Sequence, residues 1–182
     1  MPVWSHMKSA SFGPIRQIAW IVADLEASVA NWRRVSCLGP WTCFRNVAMR
    51  GRLRGAAVTV RMHVALGYQA DMEIELIQPL GTGASPYCSA AGVPLVGMHH
   101  VAWFCEDVAV DLVRAQERGL APVFEAANEV TRVAYLEDPR EPGLLLEFIE
   151  MNAVMRAGLA ARLAAAHAWD GSQPVQVIDL GG

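Results

Sequence analysis

A chain of 182 residues, 53% of them hydrophobic and 18% charged, has ample apolar material for a core, which excludes a disordered protein. Its formal net charge of -3 excludes an overall electrostatic footprint for nucleic acid or for an anionic membrane surface. Cys37, Cys43, Cys88 and Cys105 form neither a CxxC pair nor a zinc-finger spacing, so they predict free thiols in a reducing cytoplasm.

Residues 1–13 read as an N-terminal tail without the apolar stretch of a signal peptide, and no run approaches the roughly 20 apolar residues that span a bilayer. The expectation is a cytoplasmic protein with no membrane partner. Ile15 to Ala23 reads as a buried strand. Asp24 is placed to cap a helix whose Leu25, Val29 and Trp32 recur on one stripe and which Gly39-Pro40 ends. A short strand over Trp41 to Val47 precedes an Arg/Gly loop. Arg45, Arg50, Arg52, Arg54 and Arg61 crowd this stretch and read as a solvated loop face, or as a holder for an anionic group.

From Ala57 to Leu66, apolar residues alternate with Thr59, Arg61, His63 and Ala65, the period of a strand with two different faces. Asp71 to Ile77 alternates likewise, with Asp71, Glu73, Glu75 and Ile77 on one face and Met72, Ile74 and Leu76 on the other. Residues 14–79 therefore read βαβββ. Residues 80–96, rich in Gly, Ser, Pro and Ala, read as a linker. Residues 97–151 repeat the order: a strand from Met98 to Cys105, a cap at Asp107, a helix carrying Val108, Leu112 and Ala115, and strands at Pro122 to Ala126, Thr131 to Glu137 and Leu144 to Glu150. Residues 152–182 hold an Ala-rich helix with Met155, Leu159 and Leu163 on one stripe, then a tail without pattern.

The two halves also agree residue by residue. Gln17-Ile-Ala-Trp coincides with His100-Val-Ala-Trp, Asp24 with Asp107, and Glu75-Leu-Ile-Gln with Glu147-Phe-Ile-Glu. The fold class expected is α+β, two paired βαβββ modules forming an open, curled mixed sheet, with an extra C-terminal helix. Each half offers one polar residue on its first strand, Gln17 or His100, and one carboxylate on its last, Glu75 or Glu147. Carboxylates inside apolar strands need a partner such as a metal or a base.

Gln17 to Ser28, Ile74 to Pro79, His99 to Trp103 and Pro142 to Ile149 together resemble the vicinal oxygen chelate superfamily, which includes glyoxalase I, methylmalonyl-CoA epimerase, extradiol dioxygenases and the bleomycin and fosfomycin resistance proteins. The resemblance implies one divalent ion on the concave face of a curled barrel, held by Gln17, Glu75, His100 and Glu147. One imidazole with three oxygen ligands disfavours Fe(II) extradiol chemistry, which needs two histidines, and suits Zn, Ni, Co, Mn or Mg as a Lewis acid. The resemblance thus implies a metal-dependent isomerase, epimerase or lyase that enolises a small carbonyl or thioester substrate. Glu147 and Glu75 move the proton, with Glu73 as the alternative base. Arg61, His63, Trp41 and Tyr87 are the expected substrate contacts. Trp20, Trp103 and His99 are expected on the opposite strand face. The alternatives are a glyoxalase I-type lactoylglutathione lyase and a non-catalytic binding or resistance protein, and a second copy of the chain, giving a homodimer, is the expected protein partner.

Overall fold

Strand, capped helix and three strands follow one another twice along the chain. The computed structural model describes residues 12–181, so most of the expected N-terminal tail lies outside the described residues. The elements are β1 (Gln17–Ile21), α1 (Leu25–Ser36), β2 (Trp41–Leu53), β3 (Ala56–Gln69) and β4 (Met72–Leu80), then β5 (Gly97–Cys105), α2 (Val108–Gln116), β6 (Ala121–Ala127), β7 (Arg132–Glu137) and β8 (Leu145–Glu150), and last α3 (Ala153–His167) and β9 (Val175–Asp179). Both predicted caps are made: the Asp24 carboxylate accepts from the amide of Ala27, and that of Asp107 from the amides of Ala109 and Val110. No helix among the described residues is long and apolar enough to cross a membrane.

The sheet runs β3-β4-β1-β5-β8-β7-β6-β2, and β2 pairs again with β3, so eight strands close into a curled barrel rather than the expected open sheet. Closure happens over a short seam in which Arg50 to Leu53 of β2 pair antiparallel with Phe124 to Ala127 of β6. Gly51 permits it, since a Cβ there would lie 1.9 Å from the Glu125 carbonyl oxygen. Further along, Trp41 to Arg45 of β2 pair in parallel with β9. The tail that reads without pattern is therefore a strand, too short and too exposed to announce itself by burial.

The expected Arg/Gly loop is also a correction. The strands continue to a turn at Arg54 and Gly55, both with positive φ as a tight hairpin needs. Arg50, Arg52 and Arg54 stand exposed along this hairpin, while Met49 just before them is buried and Gly51 and Leu53 between them are half-buried.

Apolar residues of the strands fill the barrel, among them Ile21, Met62, Val64, Ile77 and Ile149. Two further clusters lie outside it. Val22, Leu25, Val29, Trp41 and Leu76 pack with α1, and Trp20 and Trp32 join them, their rings 5.2 Å apart. Val108, Ala115, Leu136 and Phe148 pack with α2 and take Trp103. Both tryptophans of the repeat are thus core under the helices, as their offset predicts. Helix α3 lays Met155 and Leu159 of its apolar stripe against the barrel interior.

Candidate metal centre

Gln17 on β1, Glu75 on β4, His100 on β5 and Glu147 on β8 come from four adjacent strands, and all point inward. The His100 ring is fully buried, and three oxygens surround its Nε2: Glu147 Oε2 at 2.9 Å, Gln17 Oε1 at 3.2 Å and Glu75 Oε2 at 3.3 Å. One nitrogen carries at most one proton and can satisfy only one of the three. Glu147 Oε2 lies off the axis of a hydrogen bond despite its short approach, and no donor serves it. A buried carboxylate oxygen without a donor, among an excess of acceptors converging on one imidazole nitrogen, is a donor set that fits a divalent cation. The four residues could hold such an ion.

Each first-strand residue is oriented from behind. A register shift in β5 sets Ala19 opposite His100 and Trp20 opposite Met98, leaving His99 as the extra residue of a bulge. The bulge turns His99 toward its neighbour instead of onto the opposite strand face, so that Nδ1 of His99 lies 2.9 Å from Nδ1 of His100 and Nε2 of His99 lies 2.9 Å from the Pro86 carbonyl oxygen. A carbonyl only accepts, so His99 carries its proton on Nε2 and accepts from Nδ1 of His100. That leaves His100 Nε2 facing the oxygens. Burial, with the charge of His100, pushes the His99 pKa down to about 4 and keeps it neutral. Burial also opposes a charge on His100, but Glu147 and Glu75 outweigh it and raise its pKa to about 9.

Gln17 is held through its amide nitrogen, which donates to Glu73 Oε1 at 2.7 Å and so turns its carbonyl toward His100. The other oxygen of Glu73 accepts from the Tyr68 hydroxyl, which accepts from Nε of Arg162 at 2.8 Å. Nη2 of Arg162 stands 3.8 Å from Glu73. Burial pushes the Glu73 and Glu75 carboxyls up. The Tyr68 bond, Arg162 and Gln17 oppose this at Glu73, and His100 opposes it at Glu75.

Above these groups lies a cavity of about 300 Å³, walled by apolar side chains such as Phe44, Met62, Val64, Phe104 and Ile149 and closed on one side by Met155 and Leu159 of α3 and by Leu180. Tyr87, as expected, is in this wall, its hydroxyl 3.2 Å from that of Tyr135, whose ring tilts against His100 at 4.9 Å. The other expected substrate contacts do not face it. Arg61 is exposed on the outer face of β3, and His63, accepting from the Asn46 amide at 3.1 Å, stands on the same face, because Met62, Val64 and Leu66 point inward. Trp41 is fully buried, but beneath α1. A larger hollow of about 790 Å³ lies elsewhere, where Arg54 and Glu137 are paired with each other and His99 shows only its bonded ring.

Tyr135, Tyr68, Arg162 and the role of His99 escape the sequence reading. Arg162 alone left a signal, since Met155, Leu159 and Arg162 recur at helical spacing and share the inward stripe.

Fold and site together define a closed eight-stranded barrel with an oxygen-rich donor set, able to hold a cation, at the floor of an apolar cavity. The chain belongs to the glyoxalase/bleomycin resistance protein/dioxygenase superfamily, whose family model matches residues 16–135. Among solved structures it is similar to methylmalonyl-CoA epimerase from Mycobacterium tuberculosis, with 16% identity and a TM-score of 0.55 over 84% of this chain and 97% of that one. A hypothetical protein from Bacillus halodurans C-125 is 20% identical with a TM-score of 0.51, over 76% of this chain and 94% of that one. These likenesses show the fold. No curated protein sequence matches the chain.

Proposed function

We propose that the protein is a divalent-metal-dependent isomerase, epimerase or lyase that enolises a carbonyl or thioester substrate. The observation that carries this reading is the convergence of Gln17, Glu75 and Glu147 oxygens on His100 Nε2 at the floor of an apolar cavity. A divalent ion held there would polarise a substrate oxygen and acidify the neighbouring C–H. The other parts belong to the chain. The apolar wall excludes water and strengthens every charge interaction at the floor. Glu147, as a ligand that would loosen from the ion when substrate binds, is the group best placed to take a proton from carbon and return it, with Glu75 beside it as the second candidate. Glu73 is already engaged by Gln17, Tyr68 and Arg162 and acts by holding Gln17 in place.

The donor set speaks against extradiol oxygen activation. His99 does not supply a second imidazole ligand, since both its nitrogens are committed to His100 and Pro86. The same reading treats residues 14–79 and 97–151 as paired βαβββ modules joined by the linker 80–96, each giving two ligands. The fold shared with a methylmalonyl-CoA epimerase supports enolisation as a chemistry this scaffold accommodates; the reaction is argued from the site.

Metal analysis of protein purified without chelator, joined to a deuterium-exchange screen over carbonyl compounds, tests the reading. The expected result is one equivalent of metal per chain and exchange at the α-carbon that Glu147→Gln reduces by at least about a hundredfold. Absence of stoichiometric metal, or undiminished exchange in Glu147→Gln, overturns it.

A further inference from the structure

The charges around the cavity narrow the substrate. Among the described residues its lining includes three carboxylates, Glu73, Glu75 and Glu147, and one cation, Arg162. Arg162 is committed to Tyr68 and Glu73. A divalent ion in the site would bring these charges into balance, so a neutral guest fits and an anionic group would sit unpaired in an apolar, acid-rich space.

Among the described residues, no other arginine lines the cavity. Arg50, Arg52, Arg54 and Arg61 are exposed on the outside of the β2–β3 hairpin. Arg16 and Arg156 line a separate groove on the far flank of α3, and Phe104 and Leu159 form the partition between that groove and the cavity. The cavity rim itself is uncharged: Asn128, Val130, Thr131, Val154 and Leu180. The volume points the same way, because about 300 Å³ holds on the order of ten water-sized groups. A coenzyme A or glutathione moiety is far larger and would have to lie outside, past a rim that offers it no cation.

Resting on the enolisation reading, we propose that the substrate is an uncharged carbonyl compound of about ten non-hydrogen atoms, its oxygen at the His100 floor and its aliphatic or aromatic body against α3, and not a coenzyme A or glutathione conjugate. Met155 and Leu159 of α3 close one side of the space, and the uncharged rim offers an anionic handle no partner where it would leave.

Calorimetric titration of the metal-loaded full chain compares benzylacetone, its para-carboxylate and isobutyryl-coenzyme A, with α-deuterium exchange followed by NMR in the same samples. Benzylacetone is expected to bind at least about tenfold more tightly than the carboxylate, and isobutyryl-coenzyme A to show no saturable binding. Val130→Lys and Val154→Lys, at two exposed rim positions, are expected to shrink the benzylacetone preference by adding the missing cation. Equal or tighter binding of either anionic compound, or no binding of benzylacetone, overturns the inference. The exchange readout judges the enolisation reading separately. Exchange confined to isobutyryl-coenzyme A leaves that reading standing while the substrate inference falls. Tight benzylacetone binding without exchange of any compound sustains the neutral pocket and sinks the chemistry.

Discussion

Gln17 and His100 occupy matching places on β1 and β5, yet the chain holds them by opposite means. Behind Gln17 stands a charged relay, Glu73, Tyr68 and Arg162, that reaches out to α3. Behind His100 stands a neutral relay that ends on a backbone carbonyl. The difference follows from the ligands. An amide has a donor end and an acceptor end that must not be exchanged, and an acceptor-only carboxylate sorts them. An imidazole that is to face a cation would have to keep its proton on the other nitrogen, and a neutral histidine in one tautomer holds it there without adding charge. Two equivalent positions of a repeated pattern can thus be tuned separately, one sensitive to the docking of α3 and the other independent of it.

Breaking the charged relay has the largest expected effect. Glu73→Leu strands the Gln17 amide nitrogen, the Tyr68 hydroxyl and the Arg162 guanidinium together, and is expected to remove about 3 kcal/mol of stability in urea unfolding. An unchanged midpoint would show that the relay carries no net interaction. The neutral relay comes next. His99→Leu leaves Nδ1 of His100 buried without a partner, with an expected loss of about 1–3 kcal/mol and of about 10- to 100-fold in metal affinity. Cobalt loading, with its visible spectrum as a report on ligand geometry, would expose a wild-type-like site and so refute the tautomer role.

The subtlest contrast is in pH. In metal-free protein the raised pKa of His100 gives stability that is fully present below its ordinary value of 6.5 and fades as pH rises through about 9. The lowered pKa of His99 works in reverse: the unfolded chain binds the extra proton, so stability is lost as pH falls from 6.5 toward about 4. Urea midpoints of wild type and His99→Leu between pH 4 and 10 are expected to diverge on the acid side, where the variant loses the acid slope. Identical acid limbs would contradict the assignment.

The parts of the molecule written in local pattern were legible in the sequence. Capping aspartates and apolar stripes announce α1 and α2, and the matched offsets lead to Gln17, Glu75, His100 and Glu147, which the fold brings together. Alternation in β3 was equally plain, but alternation separates two faces without saying which is inside, and so Arg61 and His63 turn out to face outward. Burial alone does not place Trp41 either, because the barrel wall has a core on each side. The bulge that recruits His99 adds one residue to one strand, which no periodicity records. The cation paired with Glu73 comes from α3, remote in sequence and outside the repeat, rather than from a neighbouring strand.

The seam at Gly51 reaches further than its four paired residues suggest. In strand order it lies diametrically across the ring from the β1–β5 junction that carries Gln17 and His100. A ring differs from a cup in that no stave can slide without moving both neighbours, so the spacing of β1, β4, β5 and β8 is set by the whole circumference. Gly51 is the clasp of that hoop, and a residue with no side chain thereby helps to keep four distant side chains gathered about one point.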